Sequence, residues 1–159
     1  LGHFAREGVH IAVIEAGVGA KRDATRVVQN VRAVVLTNVG HDHLDTLGPT
    51  LGDVALDKAD AVRPGVPTLT AATGEALEIV AKVATERSSP LYVLSADDPL
   101  FSPPAGLEAP PTQTRNRQLA AATLRLLEVP EDAVTRGLSA TLPARAEHFA
   151  VGGRTVVLD

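Results

Sequence analysis

Short apolar bursts that alternate with segments of helical period constrain this chain more than any other feature. The bursts occupy residues 9–16 (VHIAVIEA), 33–39 (AVVLTNV), 67–72 (PTLTAA), 91–95 (LYVLS) and 155–159 (TVVLD). Each has the length of a strand and is too short for a buried helix. The first two lack clean alternation, as strands covered on both faces do. Helical period appears at residues 50–63, where Thr50 and Asp53 have the spacing of a capping box, and at 75–87, with Leu77, Val80, Ala81 and Ala84 on one stripe. Further helices are expected at 112–128, entered after Pro110 and Pro111, and at 130–139, with Pro130 at its first turn. This order predicts an α/β fold: a mostly parallel sheet with helices on both faces. The proline-rich stretch 97–113 reads as a rigid loop, and HFAVGGRTVVLD as a C-terminal β-hairpin turning at Gly152 and Gly153.

Composition narrows the function classes. With 45% hydrophobic residues in 159, the chain can bury the core of one domain, and 13 glycines with 11 prolines argue against a collagenous chain. A formal charge of −4 does not suit a protein that coats nucleic acid. No cysteine is present, which excludes disulfides and thiolate metal sites and makes a cytoplasmic location the expectation. Methionine is absent even at position 1, so the chain is expected to be part of a longer protein. No membrane-spanning stretch is visible.

Ligands of open parallel sheets collect beyond the carboxyl ends of the strands. The first burst runs into Glu15, and the second into Thr37, Asn38 and the cluster His41, Asp42, His43 and Asp45. Carboxylates and imidazoles there suit a divalent cation, with oxygen donors favouring magnesium over zinc. GVGAK does not have the spacing of a phosphate loop, nor do Gly17 and Gly19 complete a dinucleotide fingerprint. Leu51, Val54, Lys58 and Val62 share one helical stripe, which sets a lysine among apolar residues. Lys58 must therefore snorkel, find a carboxylate or lose its charge.

IEAGVGAKRDAT resembles the E-V-G-L-G-G-R-x-D-A-T-N motif of the Mur ligase superfamily, in its folylpolyglutamate and dihydrofolate synthase branch. TNVGHDHLDTLGPTLGDVALDKADAVRPGVP is similar to the same branch's T-N-I-G-x-D-H segment, through its K-A lysine to G-V-P. QTRNRQLAAATLRLL and LPARAEHF resemble its Q-x-x-N-A helix and P-G-R-x-E linker. The resemblance implies an ATP-dependent ligase that activates a carboxylate as an acyl phosphate and joins it to an amino acid such as glutamate. It implies magnesium held by Glu15 and His43, with Lys58, in carbamylated form, helping to place the metal; Lys58 and His43 are thus its catalytic candidates. Asn38, Asn116 and Arg145 correspond to nucleotide-binding positions, and Asp23, Arg26 and Asp42 to the substrate side. The implied partners are a small carboxylate acceptor, folate-like or other, and an amino acid, with neither nucleic acid nor membrane, and the implied parent is a monomer.

The chain departs from those motifs at Ala20, Lys21, Arg26 and Ala144, and DHLDTLGPT is also similar to ligases that make poly-γ-glutamate. Residues 1–159 are expected to form a single, central ATPase-like domain, without the family's N-terminal phosphate-loop segment or its C-terminal amino-acid-binding domain. By itself the chain is expected to be inactive. Two other readings compete. His41, His43 and Asp45 satisfy the H-x-H-x-D of metallo-β-lactamase-like hydrolases, although Thr46 stands where a further histidine is usual and only His148 remains downstream. The other is a non-catalytic module that binds a nucleotide or a partner.

Overall fold

A computed structural model describes residues 2–104, 111–140 and 147–158, which fall into two compact units, Leu1–Asp98 and Pro99–Asp159. The first is built on three parallel strands, β1 (Val34–Leu36), β2 (Thr68–Thr70) and β3 (Leu91–Val93), in the order β1-β2-β3. Their register aligns Val34 with Thr68 and Leu91, and Leu36 with Thr70 and Val93. Ahead of β1 lie a short exposed helix, α1 (Gly2–Arg6), and a 3-10 turn at Ala24–Val27.

Two crossovers connect the strands. The first contains α2 (Leu44–Leu47) and α3 (Leu51–Ala59), and the second is α4 (Gly74–Glu86). Helix α3 starts where the sequence places it. The Thr50 hydroxyl accepts the Asp53 amide at 3.1 Å and the Asp53 carboxylate accepts the Thr50 amide at 3.1 Å, so two amides that the helix cannot pair internally are satisfied reciprocally. Buried Ala59 and Val62 meet Val80 and Val83 of α4, with Leu36 and Leu91 packed against them. This seats the helices on the sheet face that carries those two leucines. The inward stripe of α4 is Ala76, Val80, Val83 and Ala84; Leu77 and Ala81, expected on it, are only half-buried.

Strand β2 is central, and all three of its residues are buried. Its threonines bring hydroxyls into the core without leaving them unpaired. Thr68 Oγ1 lies 3.0 Å from Ser89 Oγ, and the Thr70 hydroxyl donates to the Leu36 carbonyl at 2.9 Å. Burial of a hydroxyl is tolerated on this condition.

The first apolar burst departs from expectation. Residues 11–16 form no strand, and their side chains are exposed, Val13 to 94%. Hydrophobicity supplies a reason to be buried, but a strand also needs a neighbour's ladder of amides and carbonyls. Among the described residues β1 pairs only with β2, so the 9–16 segment has no such neighbour.

The second unit contains α5 (Pro111–Leu126), α6 (Glu131–Leu138) and a hairpin of β4 (Glu147–Val151) and β5 (Arg154–Leu158). Ala121, Val134 and Leu138 form the buried contact between the helices. The stretch expected to be a loop is partly ordered: Pro99–Phe101 makes a 3-10 turn with Phe101 buried, Pro111 already belongs to α5, and residues 105–110 lie outside the described ones. Arg125 ties that turn to the helices by donating to the Leu100 and Ser102 carbonyls at 2.9 and 2.7 Å while it pairs with Glu131. Gly152 and Gly153 join the hairpin with φ of +57° and +74°, the doubly positive turn that follows the twist of paired strands. Pro130 stands at the N-cap position of α6, just before its first turn. No helix among the described residues is long and apolar enough to cross a membrane.

Candidate functional site

Parallel order aligns the carboxyl ends of the three strands on one rim, and the segment leaving β1 there carries the residues singled out in the sequence. Asn38 is exposed two residues beyond Leu36. The chain then turns tightly, with the Asp42 amide donating to the Gly40 carbonyl at 2.9 Å. His43 follows in the left-handed region, φ 54° and ψ 37°, a conformation that costs a residue with a Cβ about 1–3 kcal/mol. Its Nε2 lies 3.5 Å from Asp42 Oδ2, and both side chains are exposed.

Lys58 lies in the last turn of α3, half-buried and flanked along its stripe by fully buried Val54 and Val62. It makes no ion pair among the described residues, so of the options open to a lysine in that stripe, pairing with a carboxylate is not the one adopted.

The loop after Glu15 is held by its own hydrogen bonds. Asp23 accepts the Gly17 amide at 2.9 Å and the Thr25 amide at 2.8 Å, which folds residues 17–25 back on themselves. Hydrogen bonds from the Thr25 side chain and amide, and then from Gly17, lower the Asp23 carboxyl from 3.8 to about 2. The loop is fastened to α3 at two points. Asp57 Oδ1 accepts the Ala20 amide at 2.7 Å, and Arg26 pairs with Asp60, which Arg87 also holds at 2.8 Å. A cleft of ≈ 370 Å³ opens beside these anchors, lined by Lys21, Leu47, Leu56, Asp57, Asp60 and Arg87 among others.

One grouping expected from the sequence needs correction, and two further residues make contacts that the sequence does not show. His41, Asp42, His43 and Asp45 are all exposed, and no three acidic or histidine side chains among the described residues are placed to hold a metal ion together. The cluster is split because α2 begins at Leu44, which carries Asp45 away on a helix while His41 and Asp42 stay in the preceding bend. That removes the ligand set of the hydrolase reading. Arg26, expected on the substrate side, pairs with Asp60 and donates to the Lys21 carbonyl. The Asp23 carboxylate, also expected there, accepts loop amides. Asn116 is exposed on α5, and Arg145 lies outside the described residues. Sequence reasoning missed Gly19, Ala20, Asp57 and Asp60; the available signal was the i, i+3 spacing that puts Asp57 and Asp60 on one side of α3.

As donors, the exposed Glu15 carboxylate and a neutral His43 imidazole suit a divalent cation. A Lys58 ammonium has no free lone pair and would offer oxygen to a metal only as a carbamate. No ion pair joins Glu15 to His43 or Lys58, so the structure shows compatible donors that are not gathered by direct contact.

Comparison with known proteins gives these positions a context. The chain is 38% identical over 97 residues to folylpolyglutamate synthase of Arabidopsis thaliana, covering 60% of this chain and 16% of that protein. Among solved structures, an FPGS-AMPPCP-folate complex superposes with a TM-score of 0.83 at 26% identity, over 99% of this chain and 45% of the other. E. coli FolC in complex with DHPP and ADP superposes with a TM-score of 0.66 at 27% identity, over 91% of this chain and 38% of that one. This chain thus spans less than half the length of these relatives. Residues 1–100 match the family described as Mur ligase middle domain, and the chain belongs to that family.

Proposed function

We propose that this chain is the nucleotide-handling part of an ATP-dependent ligase that adds glutamate, through an acyl phosphate, to a folate-like carboxylate acceptor. The observation that carries the proposal is the superposition of 99% of the chain on a complex of AMPPCP and folate. Bound magnesium would draw charge from the phosphate oxygens as phosphoryl transfer proceeds. Glu15 and His43 would hold it. Lys58, half-buried and without an ion pair among the described residues, has an amine available for carbamylation. Asn38, Asn116 and Arg145 are proposed as nucleotide-binding residues, as the resemblance implies. The exposed Asp42 is proposed to face the acceptor, together with Asp23 and Arg26, whose loop contacts would then shape the site.

The test is Lys58→Ala in the full-length parent protein. Loss of a group that helps to place a metal typically costs at least about 10–100-fold. Glutamate addition is expected to fall by at least that range and to recover in part with a short carboxylate such as formate. The 159-residue chain alone is expected to show no turnover. Undiminished activity in the Lys58→Ala enzyme would refute the role given to this lysine.

A further inference from the structure

Before β1, only Ala20 is buried among the described residues, at 6% exposure. Its amide is held by Asp57 Oδ1 at 2.7 Å, and the Lys21 amide points to the same oxygen at 3.4 Å. A Cβ on Gly19 would lie 2.1 Å from that oxygen and 2.6 Å from Leu47 Cδ2. The loop comes this close to the helix because residue 19 is glycine, which also accepts its φ of +62°.

The loop has other fastenings, among them a 3.5 Å contact from Arg63 to the Arg26 carbonyl, and none of them does the same job. Asp23 ties the loop only to itself, since Gly17 and Thr25 both belong to it. Arg26 reaches Asp60 through a long, exposed side chain. The Asp57 contact is short, is made to the backbone and is partly buried, so it fixes where the loop lies along α3. Asp57 adjoins Lys58 in sequence, and the held amide is five residues beyond Glu15.

We propose that Asp57 is a positioning residue, which sets the placement of the Glu15 loop relative to the Lys58 helix and thereby tunes a cation site that it does not itself ligate. The part concerning the cation rests on the ligase reading; the mooring of the loop does not. Asp57→Asn keeps a carbonyl oxygen that accepts an N–H, and Asp57→Ala keeps none.

Hydrogen exchange of the Ala20 amide in the 159-residue chain reads the mooring. It is expected to quicken about tenfold or more in Asp57→Ala, as befits a lost hydrogen bond to a charged group, and to stay near wild type in Asp57→Asn. Equilibrium titration of the full-length protein with Mn2+ reads the cation site. Affinity is expected to fall about tenfold in Asp57→Ala and to be largely restored in Asp57→Asn. Wild-type exchange and wild-type affinity in Asp57→Ala would overturn the proposal, as would equal losses in both variants. A parent protein without ligase activity would sink the ligase reading, while Ala20 exchange would still decide the mooring.

Discussion

Asp23 accepts amide protons from Gly17 and Thr25, and its carboxyl lies at about 2 rather than 3.8, chiefly through the Thr25 contacts. A carboxyl whose pKa is lower in the folded protein stabilises it fully above the unfolded value, and the contribution disappears as pH falls through the folded one. The Gly17 and Thr25 amide resonances are therefore expected to hold steady on acidification until pH drops below 3.8 and to shift with a midpoint of about 2. An Asp23→Asn variant is expected to show no such titration. The resemblance puts Asp23 on the substrate side but does not show which amides its oxygens accept. Asp57 was passed over because its partner amide lies 37 residues away, and no local pattern announces that contact.

Among the elements, those determined by neighbouring residues were legible. The capping box at Thr50 and Asp53 and the Gly152–Gly153 turn each depend on a few consecutive side chains, and both form as read. Replacing Thr50 by Ala is expected to destabilise the chain by about 1 kcal/mol, within the range for lost N-caps, as a lower midpoint in urea denaturation. Strand β2 is hard to read from the sequence, because its threonines look polar in a list of letters. Only the positions of Ser89 and the Leu36 carbonyl show that their hydroxyls are paired. The 9–16 burst shows the reverse error. Its letters favour a strand, but pairing is a property of two segments, and no described neighbour provides it. Residues of the candidate site divide the same way: Lys58 stood out from helical spacing, whereas the separation of His41 and Asp42 from Asp45 depends on where α2 begins.

For the molecule as a whole, the order of strands and helices was readable because apolar period follows local geometry, and the family followed from motifs in the right sequence. How the chain's apolar surface is shared out was not readable. Ile11 is 55% exposed, Val13 94% and Ile14 37%, in a stretch that pairs with no strand among the described residues. Such a segment, apolar and rich in β-branched residues, is a template for intermolecular pairing. Solutions of this chain are thus expected to self-associate as concentration rises, seen as increasing light scattering, and Val13→Lys is expected to suppress it without altering the circular dichroism. The apolar stretch that leads into Glu15 would then set the practical solubility of the chain.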